Sequence, residues 1–209
     1  MVAPVLPVAY LPGAAGRVAL WRRIAERLAR RRPSFLCEYP GFGNVPADPS
    51  LACLSDLRAH LLRSLPERFD LVAMSAGGSI ALRLALDHPE RVRKLVLVAT
   101  SSGVDVRALG ALDWRDTYQT LHPDAPPWFV EDASDVTAEL PRLQAPTLLV
   151  FGDADLIAPV AVGEFLLRRL PNARLEVIPR ATHDLQKEFP DLLASLIEAH
   201  LRRDDPPAS

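Results

Sequence analysis

Residues 71–80 read Leu71-Val72-Ala73-Met74-Ser75-Ala76-Gly77-Gly78-Ser79-Ile80. Ser75 comes directly after a short apolar run that is typical of a buried strand, and directly before a segment of helical period. The residues two before Ser75 and one to three after it are small, as a sharp strand-to-helix turn requires, because bulky side chains would collide across it. Ser75 is therefore a candidate nucleophile. The alternative is a serine that only caps a helix packed closely through glycines.

On both sides of this stretch, short apolar runs alternate with longer segments of helical period. The predicted strands are Val5–Tyr10, Phe35–Tyr39, Phe69–Met74, Val92–Ala99, Pro146–Phe151 and Leu175–Pro179. The predicted helices are Ala19–Arg31, Leu51–Leu65, Ser79–Leu86, Val160–Leu170 and Leu185–Leu201. Apolar runs this continuous indicate strands covered on both faces, which is typical of parallel strands joined by crossover helices. The sequence predicts the α/β class, with a doubly wound, mostly parallel six-stranded sheet flanked by helices.

The segment 102–142 interrupts the alternation, since it carries no strand signal and four prolines break any long helix there. At about forty residues it is too short for a core of its own, so we expect an insertion within a single domain of residues 1–203. Residues 204–209 are expected to form a frayed polar tail. Eight acidic and three basic residues give the insertion a net charge of −5. Four aromatic side chains are gathered in it: Trp114, Tyr118, Trp128 and Phe129.

The charge and composition of the chain exclude several classes of partner. The 209 residues carry 24 Lys+Arg against 26 Asp+Glu, a formal net charge of −2, so the positive field needed to bind a phosphate backbone is missing. Nucleic acid is therefore not an expected partner. No apolar stretch approaches the roughly 18 to 20 residues that span a bilayer, and no leader pattern is visible, so we expect a cytoplasmic protein without membrane contact. Cys37 and Cys53 lack the spacing of a disulfide or metal site, and no metal is predicted.

Two further strand ends carry the groups that a nucleophilic serine needs, namely a base and a carboxylate that orients the base. Asp153 and Asp155 follow the fifth predicted strand, and His183 follows the sixth. Because parallel strands end at a common edge of the sheet, we expect these side chains to lie near Ser75. The residues themselves leave both aspartates open, and Asp105 after the fourth strand is a weaker candidate. His60, His88 and His200 are expected to be surface or packing residues. His122 lies in the insertion, where a substrate contact is the lesser alternative.

Several segments, in order along nearly the whole chain, resemble the α/β-hydrolase superfamily. Residues 11–14 resemble its oxyanion loop, 71–80 its nucleophile elbow, and 87–98 the segment that follows the elbow helix. Residues 146–155 resemble its acid loop, and His183 with Glu188 and Pro190 resembles its histidine loop. The resemblance implies that Ser75 is the nucleophile and His183 the base. It also implies that Asp155 is the acid, because the family's Gly-x-x-Asp spacing selects it over Asp153.

The predicted connectivity adds an oxyanion site to this assignment. In a doubly wound sheet the loops after the first and third strands converge at the switch point. The backbone amides of Ala14 and Ala76 are therefore expected to stabilise one oxyanion. Three residues depart from the family pattern: Pro12 replaces a common histidine, while Ala73 and Thr182 replace glycines. None of them removes a catalytic atom, but Pro12 changes how the oxyanion loop is braced, since it offers neither a side-chain hydrogen bond nor an N–H.

The resemblance implies acyl transfer to water without a cofactor, and a small-molecule substrate. The primary expectation is a carboxylesterase for small to medium uncharged esters; thioesterase, lactonase, amidase and carbon–carbon bond hydrolase chemistry use the same triad and stay open. A ligand-binding module without turnover is disfavoured because the triad is complete. The insertion resembles the family's cap, so its four aromatic side chains are expected to line the substrate pocket. Its acidic charge is expected to disfavour anionic substrates, unless these charges only solvate its outer face.

Overall fold

A computed structural model of the chain describes residues 5–100, 103–132 and 134–202. The described residues form one parallel sheet with the strand order β2-β1-β3-β4-β5-β6. The strands are β1 (Val8–Leu11), β2 (Ser34–Leu36), β3 (Phe69–Met74), β4 (Val92–Val98), β5 (Thr147–Gly152) and β6 (Ala173–Ile178). Every residue of β1, β3 and β5 is buried, whereas the edge strands β2 and β6 are partly exposed. The doubly wound α/β architecture predicted from the sequence is thus confirmed.

The helices cover both faces of the sheet or lie in the insertion. They are α1 (Arg22–Ala29), α2 (Leu54–Ser64), α3 (Gly77–Asp87), α4 (Arg115–Leu121), α5 (Pro127–Val130), α6 (Val160–Leu167), α7 (Leu185–Glu188) and α8 (Pro190–Arg202). The single last helix predicted from Leu185 to Leu201 is in fact two, α7 and α8. Proline at position 190 explains the break, because it has no N–H to continue α7 and its ring collides with the preceding turn. It is tolerated as the first residue of α8.

The insertion contains α4, α5 and short 3-10 turns at Arg107–Leu109 and Leu140–Arg142. It is tied to the sheet domain at its end by an ion pair between Glu139 and Arg83 of α3, with a nitrogen-to-oxygen distance of 2.8 Å. The amide of Leu112 also donates to the carbonyl of Leu156, after β5, at 3.0 Å. The polar tail predicted for residues 204–209 lies outside the described residues.

Hydrogen bonds join helix α8 to Arg32, just before β2, and to residues at the beginning of β4. Asp70 of β3 is fully buried, and its carboxylate accepts hydrogen bonds from Arg32 at 3.2 Å and Arg93 at 2.6 Å. Burial raises the pKa of Asp70, and the hydrogen bond from Arg93 opposes that rise. Arg32, Arg93 and Lys94 also donate to the carbonyl of Leu201 in the last turn of α8, at 3.1, 3.0 and 3.4 Å. This group of cations thereby holds α8 against the sheet.

The strand order places a switch point above β1 and β3. From β1 the chain passes first to β2 on one side and then to β3 on the other. The loops that follow β1 and β3 therefore meet at the carboxyl edge of the sheet, where a doubly wound fold leaves a crevice for ligands.

Candidate active site

Ser75 forms a sharp turn between β3 and α3. Its φ of 50° lies in the left-handed region, which residues other than glycine rarely adopt and which stores backbone strain. A Cβ added to Gly77 would lie 2.3 Å from the carbonyl oxygen of Pro12, and one added to Gly78 would lie 2.3 Å from Thr100 Cγ2. Glycine is therefore required at position 77, where the loop after β1 lies close, and at position 78, where Thr100 lies close.

The side chains of Ser75, His183 and Asp155 form a continuous chain of hydrogen bonds. His183 Nε2 lies 2.9 Å from Ser75 Oγ, and His183 Nδ1 lies 2.8 Å from Asp155 Oδ2. The Asp155 side chain is fully buried, and its other oxygen accepts the amides of Ile157 and Ala158 at 2.8 and 3.0 Å. The carboxylate is therefore held in one orientation. With a proton on Nδ1, the imidazole donates to Asp155 and can accept the hydroxyl proton of Ser75.

Asp153 and Asp105, the other acids considered from the sequence, do not contact His183. Asp153 is exposed, and its carboxylate accepts the backbone amide of Arg180, which shapes the loop that leads to the histidine. Asp105 is also exposed and accepts the amide of Arg107 in its own turn at 3.3 Å. Of the three acids, the structure brings only Asp155 to the imidazole.

The histidine loop is held by its own side chains and by a close backbone contact. Thr182, in the position where the family often has glycine, donates its amide and hydroxyl to the Glu188 carboxylate at 2.9 and 2.6 Å. A Cβ on Gly152 would lie 2.2 Å from the carbonyl oxygen of Ala181. The absence of a side chain at the end of β5 therefore lets the acid and histidine loops approach each other.

The loop after β1 approaches the serine closely. A Cβ on Gly13 would lie 3.2 Å from Ser75 Cβ, and Ala14 lines the same cavity as Ser75. Ala76, the residue after Ser75, precedes the first turn of α3. Within the described parts of the chain, neither the Ala14 amide nor the Ala76 amide donates a hydrogen bond. Both amides thus remain available to an added acceptor.

A cavity of about 350 Å³ lies over Ser75 and His183. Its apolar walls include Leu20, Met74, Leu112, Trp114, Leu121 and Ile157. The volume falls at the lower end of the range typical of small-ligand sites. Leu112 and Leu121 are more than half exposed at its rim, so the mouth of the cavity is apolar as well.

The four aromatic residues expected in the substrate pocket are divided between two places. Trp114 and Tyr118 line the cavity, whereas Trp128 and Phe129 do not. Phe129 is buried with its ring 4.9 Å from that of Phe42, and Trp128 lies 6.0 Å from the same ring. These two side chains therefore pack the insertion onto the loop after β2.

Two cavity residues of α4, Thr117 and Leu121, were not singled out from the sequence, and His122, weighed there as a possible substrate contact, lines the cavity as well. With Trp114 and Tyr118 they recur at the three- and four-residue spacing of one helix face. That periodicity was the signal that could have identified them.

The charges around the cavity are largely paired. Lys187 contacts Asp184 at 2.8 Å, and Arg115 contacts Asp113 at 3.5 Å. Arg17 also lines the cavity and forms no ion pair within the described chain. Most of the insertion's described acids lie elsewhere; several line a separate cavity of about 430 Å³, namely Asp105, Glu131, Asp132 and Asp135. Of the insertion's described acids, Asp113 alone lines the cavity over Ser75, so the described acidic charge does not surround Ser75.

The described parts of the chain, residues 5–100, 103–132 and 134–202, show neither a metal cluster nor a membrane span. These parts contain no group of three or more His, Cys, Asp or Glu side chains arranged to hold a metal ion. They likewise contain no helix that is long and apolar enough to cross a bilayer.

Comparison with known proteins agrees with this architecture. A relative named pimeloyl-[acyl-carrier protein] methyl ester esterase, from Nitrosomonas europaea, is 28% identical over 90% of this chain and 93% of its own length. Polyketide synthase ThaQ from Burkholderia thailandensis is 32% identical over 84% of this chain, which is 11% of that protein. The solved structure of a thermophilic esterase from Thermogutta terrifontis superposes with a TM-score of 0.77 at 23% identity, covering 96% of this chain and 91% of that one. The sequence profile of the alpha/beta hydrolase fold matches residues 7–137, and the chain belongs to that family.

Proposed function

We propose that the protein is a serine esterase that hydrolyses small to medium uncharged esters through an acyl-enzyme on Ser75. The observation that carries the proposal is the hydrogen-bonded chain from Asp155 through His183 to Ser75, at the base of an apolar cavity. The family and the esterase names of its relatives support an enzyme that hydrolyses esters. Ser75, His183 and Asp155 are its proposed catalytic residues.

The proposed reaction begins when Ser75 Oγ attacks the acyl carbon and its proton passes to His183 Nε2. The negative charge that develops on the carbonyl oxygen is stabilised by the amides of Ala14 and Ala76 and by the positive end of α3. His183 then gives the proton to the departing alcohol, leaving an ester on Ser75. Water attacks this ester by the same steps, with His183 as base. Asp155 keeps the imidazole in the required tautomer throughout.

The cavity supports the proposed substrate class by its size and its walls. Its volume of about 350 Å³ suits a small to medium acyl group, and its apolar lining favours an uncharged one. Trp114 and Tyr118, from the insertion, are the proposed aromatic contacts. Thioesters, lactones and activated carbon–carbon bonds could use the same groups, so the ester assignment is tested against them with matched substrates.

A second candidate substrate is an ester whose acyl chain is held by a carrier protein. Two observations favour it: the carrier-protein ester in the name of the relative from Nitrosomonas europaea, and Arg17, which lines the cavity and pairs with no described acidic side chain. A cation there can attract an anionic group outside the cavity while the apolar chain lies inside. If this candidate holds, Arg17→Ala lowers kcat/KM for the carrier-bound ester and leaves the value for a free p-nitrophenyl ester unchanged.

The experiment that tests the proposed function combines covalent labelling with hydrolysis. The protein is treated with a fluorophosphonate probe, the adduct is located by mass spectrometry, and p-nitrophenyl esters of increasing acyl length are assayed. We expect a single adduct on Ser75, and we expect Ser75→Ala to lose about 10⁴- to 10⁶-fold in rate while it remains folded. Residual activity within about tenfold of the wild type would contradict the assignment. Ligand binding without labelling or turnover would instead indicate a non-catalytic module.

The cytoplasmic location favoured by the sequence remains a prediction, which fractionation of the native host would test.

A further inference from the structure

The loop after β1 has three successive carbonyl groups that are each held by a hydrogen bond. Tyr39 Oη donates to the carbonyl of Pro12 at 3.2 Å, the amide of Gly16 donates to that of Gly13 at 3.0 Å, and Tyr118 Oη donates to that of Ala14 at 2.6 Å. The loop is thus braced by two tyrosine side chains and by one turn of its own backbone.

These three bonds fix the direction of one particular N–H group. The Ala14 amide belongs to the peptide plane whose carbonyl is that of Gly13, and the planes on either side carry the carbonyls of Pro12 and Ala14. Because all three carbonyls are occupied, rotation of the central plane would break at least one hydrogen bond, which costs about 1 kcal/mol or more when the group is buried. Pro12 has no side chain that could hold the loop by a hydrogen bond. Two tyrosines from outside the loop supply these hydrogen bonds instead.

Tyr118 reaches this loop from the insertion, 104 positions further along the chain. Its ring is buried in the insertion, 5.3 Å from that of Trp114 and 4.8 Å from that of His122. Burial raises the pKa of Tyr118 to about 12, so its hydroxyl stays protonated and donates at neutral pH. The other brace, Tyr39, lies in the loop after β2, and its ring lies 5.6 Å from that of Phe42.

We propose that Tyr118 is a positioning residue for the oxyanion site, and that its hydrogen bond to the Ala14 carbonyl couples docking of the insertion to the orientation of the Ala14 amide. This inference rests on the proposed function, because it assigns the Ala14 amide to the oxyanion. Tyr118 also lines the cavity, so an acyl group bound there packs against the side chain that orients the amide. The oriented Ala14 amide then requires the insertion in the docked position that places Tyr118 Oη on the Ala14 carbonyl.

Substitution of each of the three tyrosines by phenylalanine tests the proposal. Tyr118→Phe keeps the ring and removes only the oxygen that binds the loop. Tyr39→Phe removes the other brace. Tyr10→Phe is the matched control, because Tyr10 is also buried but its hydroxyl contacts none of the carbonyls of residues 12–14.

The first readout is steady-state hydrolysis of a short-chain p-nitrophenyl ester. We expect Tyr118→Phe to lower kcat by about 10- to 100-fold with KM changed by less than about threefold, since an oxyanion contact acts in the transition state and not on the bound substrate. Tyr39→Phe is expected to change kcat in the same direction, and Tyr10→Phe to leave both constants near wild type. A raised KM with unchanged kcat in Tyr118→Phe would identify a simple substrate contact and overturn the proposal.

The second readout is hydrogen–deuterium exchange of the loop peptide that covers residues 12–16, which needs no activity. Faster exchange of this loop in Tyr118→Phe supports the proposal, whether or not α4 also exchanges faster. Unchanged exchange of the loop overturns it, including the case in which only α4 responds. If wild-type protein fails to hydrolyse any ester and Ser75 is not labelled, the proposed function fails, while exchange still decides whether Tyr118 holds the loop.

Discussion

Gly77, two residues after the nucleophile candidate, is a position where a single methyl group should disturb the oxyanion loop directly. An alanine Cβ there would lie 2.3 Å from the carbonyl oxygen of Pro12. Ordinary carbon-to-oxygen contacts begin at about 3.3 Å, so the loop or the helix must move by about 1 Å. The Pro12 carbonyl is also the one that Tyr39 holds. Gly77→Ala is therefore expected to shift the oxyanion loop relative to Ser75.

The magnitude follows from that displacement. A misplacement of about 1 Å among reacting groups costs on the order of 10²-fold in rate, so kcat should fall by about 100-fold. Overpacking costs about 1 to 3 kcal/mol, partly offset by the roughly 0.5 to 1 kcal/mol that alanine gains over glycine in a helix. For a chain of this size each kcal/mol corresponds to about 2 to 4 °C, so we expect the Tm to fall by no more than about 10 °C.

The assay compares kcat for a p-nitrophenyl ester with the Tm of the same preparation. Gly163→Ala in α6 is the matched control, because its Cβ would lie 2.8 Å from Phe151 Cδ2, away from the cavity residues. It should lower the Tm and leave kcat within about twofold of the wild type. A folded Gly77→Ala protein whose kcat stays within about threefold of the wild type would refute the reasoning, since the loop position would then not matter.

Other substitutions probe the acid, the cavity and the buried tyrosine. Asp155→Asn should lower kcat by a factor on the order of 10⁴, because the imidazole is no longer held in one tautomer. Asp153→Asn should lower kcat by less than about tenfold. The reverse order would refute the assignment of Asp155 as the acid. Trp114→Ala should shift the preferred acyl length or raise KM by more than about threefold in the ester series, whereas Trp128→Ala, outside the cavity, should leave the profile unchanged. Because the pKa of Tyr118 is raised to about 12, its hydroxyl stabilises the fold fully below pH 10 and loses that contribution between pH 10 and about 12. Denaturation against pH should show this loss in the wild type beyond that of Tyr118→Phe, and equal losses would contradict it.

The α/β architecture was predictable because each strand could be identified from its own apolar run. The proximity of Ser75, Asp155 and His183 then follows from topology, since parallel strands present their carboxyl ends at one edge. Local patterns sufficed there, although the three residues are up to 108 positions apart. The break between α7 and α8 was also visible in the sequence, as Pro190 cannot continue a helix.

The insertion could not be predicted to the same depth. Its aromatic side chains indicated burial, but composition does not say which neighbour covers a ring, and Phe129 packs on Phe42 and not in the cavity. The bond from Tyr118 to Ala14 had no sequence signal either, because it joins a helix to a loop through a contact set only by how the insertion docks. Tertiary packing, and not the local sequence, determines where the side chains of Phe129 and Tyr118 lie.

The fastening of α8 to the sheet has a consequence for the order in which the chain can mature during its synthesis. Arg32, Arg93 and Lys94 belong to the first half of the chain, yet they share the carbonyl of Leu201 near its end. Before α8 is synthesised, these cations lack the Leu201 carbonyl as a hydrogen-bond acceptor. The apolar surface that α8 covers is then exposed to water, and both effects raise the free energy of the folded sheet. We therefore expect no native sheet until α8 has been synthesised and has left the ribosome, and we expect resistance to protease and activity to appear together at that point.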